Sequence, residues 1–170
     1  MARFGAAVES QVAQPAGTPS GTTFNGYFAA IVAGASQNFK LRRVKIGVRA
    51  GASVPTSQQM TVAIYRQTVR AAGTGFSTVV DLNLDPRGAA SQITGVDITT
   101  AAAAGTTGPT IGANPIAKFS FNTQAGLDLP WEMLEEMICD QGTANGLAFV
   151  NIGNPLPAAH LFTLDLEDEQ

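Results

Sequence analysis

Covalent hydrolysis needs a serine, threonine or cysteine beside a base, and this chain offers one histidine, His160, and one cysteine, Cys139, toward such a pair. His160 follows Pro157-Ala158-Ala159 at the start of an alternating segment, where it reads as a turn or strand-end residue. Cys139 lies in the apolar run Met137-Ile138-Cys139, which suits a small buried hydrophobe better than a reactive thiol. One cysteine excludes an intrachain disulfide framework and a cysteine-based zinc site, and one histidine is too few for a cupin-like metal enzyme. No catalytic residue, cofactor or metal ligand is assigned, and the chain reads as a non-enzyme.

Two oxygen-rich spacings remain, Asp81/Asn83/Asp85 and Asp165/Glu167 with Asp168 and Glu169 nearby. Calcium takes six to eight oxygens, more than one strand face supplies in a tight arc, so both are expected to be solvated strand faces. Gly73-Thr74-Gly75 lacks the Lys-Ser/Thr ending of a phosphate loop and is expected to be a turn. The cations Lys40, Arg42, Arg43, Lys45 and Arg49 could neutralise phosphates, but only Phe39 stands close enough to stack on bases and the chain as a whole is acidic. Nucleic acid is therefore not the expected partner; a solvated strand or an ion-pairing protein interface is.

The net charge of −3 hides an asymmetry. Up to Arg87 nine Lys and Arg stand against Glu9, Asp81 and Asp85, a balance of 9 − 3 = +6; beyond it Lys118 alone faces ten acids, a balance of 1 − 10 = −9. In one compact domain these charges interleave; the alternative is a basic and an acidic face that favour head-to-tail contact between subunits.

The elements that must carry these residues are short strands. At 170 residues the chain fits one domain with one core. It is 45% hydrophobic but only 14% charged, against roughly 25% in ordinary globular proteins, which points to a neutral surface suited to partners. Residues 1–21 combine Ala, Gln, Gly, Pro and Ser, so an extended arm is expected there, followed by a domain over residues 22–170. Residues 1–21 lack the features of a signal peptide and no run is long enough for a membrane helix, so cytosolic synthesis and no membrane partner are expected.

Period-two alternation marks the strands. Val44, Ile46 and Val48 oppose Lys45 and Arg49; Met60, Val62 and Ile64 share a face; Val80, Leu82 and Leu84 alternate with Asp81, Asn83 and Asp85 before the turn Asp85-Pro86-Arg87-Gly88. Residues 99–115 are expected to be a long loop, and Phe119 and Phe121 mark a further strand. Around Trp131, Leu134 and Ile138 the spacing also suits a helix, but a loop entering a strand near 137–140 is assigned. Asn145-Gly146 turns into a strand over 147–152, and Phe162, Leu164 and Leu166 alternate in the last one. About eight strands in all predict an all-β fold, an antiparallel two-sheet jelly-roll sandwich with an extended N-terminal arm.

From Thr22 onward the order of segments resembles small jelly-roll proteins that decorate the capsids of tailed bacteriophages. The residues that carry this are Phe39-Lys-Leu-Arg-Arg-Val-Lys-Ile-Gly-Val-Arg, residues 55–66 (PTSQQMTVAIYR), and Trp131 with Glu135-Glu136 before a strand. The hairpin Gly142-Thr-Ala-Asn-Gly-Leu-Ala-Phe-Val and the acidic closing strand complete them. The resemblance implies a cement subunit, a homo-oligomer and typically a trimer, seated on the outside of a virion against the major capsid protein. Composition and charge, apart from the resemblance, put the expected contacts on Arg3 and Phe4 of the arm, on Lys40, Arg42, Arg43, Lys45 and Arg49, and on Asp165 and Glu167. The competing expectation is a tail or fibre-associated module that binds a host receptor or glycan, with Trp131 or Tyr27 as the stacking aromatic.

Overall fold

A computed structural model of the chain describes residues 2–11, 13, 15–17, 25–72, 75–85, 87–100, 108–132 and 135–170. Among these there is no helix. In chain order the strands are β1 (Arg3–Glu9), β2 (Tyr27–Val32), β3 (Phe39–Ala50), β4 (Gln59–Val69), β5 (Phe76–Val79), β6 (Leu82–Asn83) and β7 (Gly95–Thr99). They continue as β8 (Thr110–Ile111), β9 (Ala117–Asn122), β10 (Leu127–Pro130), β11 (Met137–Cys139), β12 (Gly146–Asn151) and β13 (His160–Glu169).

The strands form two antiparallel sheets, an all-β sandwich. The first runs β10-β3-β13-β1-β6, with β11 also on β3; the second runs β5-β7-β2-β12-β4-β8, with β9 also on β4. The core lies between them because each strand turns one alternate set of side chains inward. Val44, Ile46, Phe162, Leu164 and Leu166 meet Met60, Val62, Ile64, Leu147 and Phe149 there, as their alternation predicts. The ring of Phe162 in the first sheet stacks on Phe28 of the second with centroids 4.3 Å apart, and Phe28 also meets Phe149 at 6.2 Å.

The two sheets differ in what covers their outer faces. Every residue of β2 and of β12 is buried. Outside the second sheet Tyr27, Ala30, Val32 and Ala148 pack with Ala71, Phe76 and Ile111, and Ala63, Tyr65 and Val150 pack with Ile111 and Ile152. Arg70 closes this layer with a forked pair on the buried Asp97, both contacts at 2.6 Å, and a bond to Thr78 Oγ1 at 2.7 Å. Among the described residues the first sheet has no such cover: Arg3, Ala7, Arg49 and Asp128 on its outer face are exposed and Lys45, Gly47, Thr163 and Asp165 half-exposed.

Several expectations are corrected. Residues 3–9 of the anticipated arm form β1, which pairs with β13 over seven positions and with β6 on its other side. Phe4, Ala6 and Val8 are buried, because a seven-residue period-two pattern of small and apolar groups satisfies a sheet even without large side chains. The pattern over 80–85 is inverted: Val80, Leu82 and Leu84 are 68%, 66% and 54% exposed, whereas Asp81 is 3% exposed. Alternation says which residues share a face but not which face is inside. Strand β8 lies within the anticipated 99–115 loop and β7 ends on its first residue; both carry too short a pattern to stand out. The turn reading of Gly73 and Thr74, Pro86 of the 85–88 turn, Leu134, and residues 101–107 of the anticipated loop lie outside the described residues, as do 1, 12, 14 and 18–24. The bond that closes the 85–88 turn is present, Gly88 N–H donating to Asp85 O at 2.9 Å.

Candidate interaction surface

The open face of the first sheet gathers most of the residues singled out by the sequence. Strand β3 alternates with Phe39 and Leu41 inward, then resumes with Val44 and Ile46 inward, which leaves Arg42 and Arg43 consecutive on the outer side. The pairing shows why: Glu167 lies opposite Arg43 and Asp168 opposite Leu41, so Arg42 is the extra residue of a β-bulge. The turn after β9 then delivers Asp128 to this face, since Gly126, at φ 70°, takes a left-handed conformation that lets β10 fold back on β3.

The resulting charges pair within the chain. Arg43 holds Asp128 through a fork, Nε to Oδ1 at 2.8 Å and Nη2 to Oδ2 at 2.6 Å, and reaches Glu167 at 3.7 Å. Lys45 meets Asp165 at 3.4 Å. Arg49 forks onto Glu9 of β1 at 2.8 and 2.5 Å. Arg43 holds the Asp128 carboxyl below the usual carboxylate range, and Arg49 does the same for Glu9, because a donated hydrogen bond stabilises the anion. The bulged Arg42 ties two acids at once, Glu136 before β11 and Glu169 of β13, the latter at 2.9 Å. Here the side chains are 16%, 4% and 8% exposed, so this triad is largely removed from water while the others remain wet.

The halves of opposite charge therefore interleave across the sheet instead of forming two separate faces. Antiparallel pairing of β3 with β13 sets the basic strand beside the acidic one, with Lys45 opposite Asp165 and Arg43 opposite Glu167. Among the described residues Arg3 and Lys40 make no ion pair. Phe4 is corrected as an interface candidate, being buried in the core. The reading of Asp168 and Glu169 as solvated is also corrected, since both are buried.

Between the ion pairs the face is smooth. A shallow depression of about 660 Å3 is floored by Ala7, Gly47, Ala125, Gly126 and Thr163 and rimmed by Glu9, Lys45, Asp128 and Asp165. Gly47 keeps it open, since a Cβ there would come within 2.8 Å of Thr163 Oγ1. A second hollow of about 400 Å3 lies among Trp131, Glu132, Arg3, Arg42, Arg43 and Glu167. The floor of small residues and Asp128 were not singled out in the sequence, and nothing there matches Glu9 with Arg49 or Glu136 and Glu169 with Arg42. The break of parity between Phe39/Leu41 and Val44/Ile46 is the one signal in the sequence that marks the bulge.

The residues considered for chemistry sit elsewhere. His160 opens β13 and is buried; its Nε2 accepts the Thr56 N–H at 3.0 Å, so Nδ1 carries the proton and donates to Ala158 O at 3.0 Å. Both ring nitrogens are thus used to pin a loop. Cys139 is buried beside Phe39, and burial pushes its thiol up to about 11. At about pH 8 roughly one thiol in a thousand would be ionised, so a thiol reagent is expected to leave the folded protein unmodified and to react on denaturation. Fast labelling of the native protein in a stopped-flow assay would contradict this burial. Among the described residues no three His, Cys, Asp or Glu side chains gather as a metal site requires.

Fold and surface together define a two-sheet β-sandwich with one covered and one open sheet face. Compared with protein-family models, curated proteins and solved structures, the chain matched none.

Proposed function

We propose that this chain is a structural virion subunit that works by surface contact, a cement protein bound to the outside of a phage capsid. The observation that carries the reading is the open outer face of the first sheet, with its charges paired in cis around a floor of small residues. A face whose ions are already paired can be covered by a protein partner without stranding a buried charge, and small residues allow close backbone approach. The link to a phage shell rests on the sequence resemblance over residues 39–49, 55–66, 131–136 and 142–150.

A jelly-roll reading is supported by strand order. The first and last strands lie side by side, β1 with β13, and β1, β2, β3 and β4 fall alternately in the first and second sheet. Such wrapping brings both ends of the chain into one sheet.

The test is the composition of purified particles. The chain is expected in proportion to the shell subunits and on the outer surface by electron microscopy; particles that lack it by mass spectrometry would overturn the reading. The second reading, a receptor-binding tail module, keeps one feature. Tyr27 is fully buried and unavailable to a glycan, but Trp131 is only partly buried and lines a hollow with Arg and Glu side chains. A few copies confined to the tail would favour that module over the cement protein.

A further inference from the structure

At the C-terminal end of β13, two carboxyls are buried against each other with no cation beside them among the described residues. Asp168 of β13 is 1% exposed and Asp81, in the connection from β5 to β6, is 3% exposed. The Nε2 of Gln170 lies 3.1 Å from Asp81 Oδ2, 3.1 Å from Asp168 Oδ2 and 2.9 Å from Ser91 Oγ, and the Ser91 hydroxyl donates to Asp81 Oδ2 at 3.1 Å. Asp81 Oδ1 and Asp168 Oδ1 are buried with no hydrogen-bond partner. The donors present are too few for four carboxylate oxygens, and one proton between the acids would supply the missing donor.

Among the described residues, the groups around Asp168 offer no other compensation. Its register partners are Phe4 of β1 and Leu41 of β3, both apolar. The cations next to them in sequence, Arg3, Lys40 and Arg42, lie on the outer face, where Arg42 holds Glu169. From the connection packed against it, the charged side chain facing Asp168 is Asp81.

We propose that Asp81 and Asp168 share a proton in the folded protein and form a latch that fastens residues 80–84 and 91–92 to the β1 edge of the first sheet. What the latch holds is a weak attachment. Strand β6 has two residues, paired with Phe4 and Gly5, followed by the Leu84 N–H bond to Arg3 O at 3.0 Å. The same segment turns Val80, Leu82 and Leu84 toward solvent. Gln170 joins the latch to its surroundings, accepting the Gln92 N–H at 2.9 Å and donating its own N–H to Ala2 O at 3.1 Å.

Burial, and then the charge of Asp81, push the Asp168 carboxyl from an ordinary 3.8 up to about 8, and burial raises Asp81 as well. A carboxyl raised in the folded state is held protonated there while the opened segment releases its proton. The latch is therefore strongest below about pH 4 and weakens as pH rises toward about 8, above which the loss levels off.

Native-state hydrogen exchange in buffer with EDTA, at about pH 6 and about pH 8, tests this on the Leu84 amide. After correction for the intrinsic rate, its opening constant is expected to rise at least about tenfold in the unmodified protein. In Asp168→Asn, and independently in Asp81→Asn, the rise should be markedly smaller, since the amide gives the remaining carboxyl a donor that does not titrate. An opening constant that is the same at both pH values in the unmodified protein, or an equal rise in the Asn variants, would overturn the latch. Neither outcome depends on where the protein sits in a virion.

Discussion

Removal of residues 1–9 is expected to unfold the protein, where an arm could be removed with only its attachment to a partner lost. Strand β1 lies between β13 and β6 and exchanges backbone hydrogen bonds with both. It buries Phe4, Ala6 and Val8 in the core, and the backbone of Ser10 just beyond it donates to Phe162 O at 2.9 Å. Burial of a Phe or a Val side chain stabilises by about 1.5–3 kcal/mol each. The loss of both, with β13 left as an open edge, is comparable with the roughly 5–15 kcal/mol that separates folded from unfolded domains. Circular dichroism should then show no cooperative thermal transition, or one lowered by tens of degrees. A truncated chain that melts within a few degrees of the intact one would show that β1 is dispensable.

The next largest effect is expected from Arg42→Ala. Its guanidinium lies between Glu136 and Glu169, whose side chains are almost wholly buried, and no water can replace it well there. Removing one member of a buried ion pair costs about 3–5 kcal/mol, because the partner is left charged in a poor solvent. The partial exposure of Arg42 places the expected loss toward about 3 kcal/mol, read as a lower denaturation midpoint with an unchanged denaturant slope. Arg42→Ala combined with Glu136→Gln and Glu169→Gln should recover much of it, since neutral amides no longer need the cation. A single-variant loss below about 1 kcal/mol would mean that water reaches the triad. The wetter pairs on the same sheet, such as Arg43 with Asp128, are expected to matter for surface electrostatics more than for stability.

The two variants separate what was legible in the sequence from what was not. The alternation of Val44 with Ile46, of Met60 with Val62 and Ile64, and of Phe162 with Leu164 and Leu166 carried through to the core, because side-chain direction in a strand is a local property. The same rule could not orient 80–85. Asp81 is buried by Ser91, Asp168 and Gln170, the last two nearly ninety positions away, and no local pattern records their approach. Within the expected arm of residues 1–21, the strand over 3–9 is hidden in the sequence because Gly5, Ala6 and Ala7 give little hydrophobic signal, yet small residues serve a strand flanked on both sides.

The candidate surface divides in the same way. Which residues are basic and which are acidic was plain, and so was their segregation into two halves of the chain. Whether those halves form two faces or one neutral one was decided by the register of β3 against β13, which joins Lys45 to Asp165 across 120 positions. By itself the sequence determined an all-β chain of short alternating strands, with a single cysteine and a single histidine. Tertiary structure decided which sheet face stays open, which charges cancel and which acids are buried together. Those depend on contacts distant in the chain, where pairing and burial outweigh local propensity.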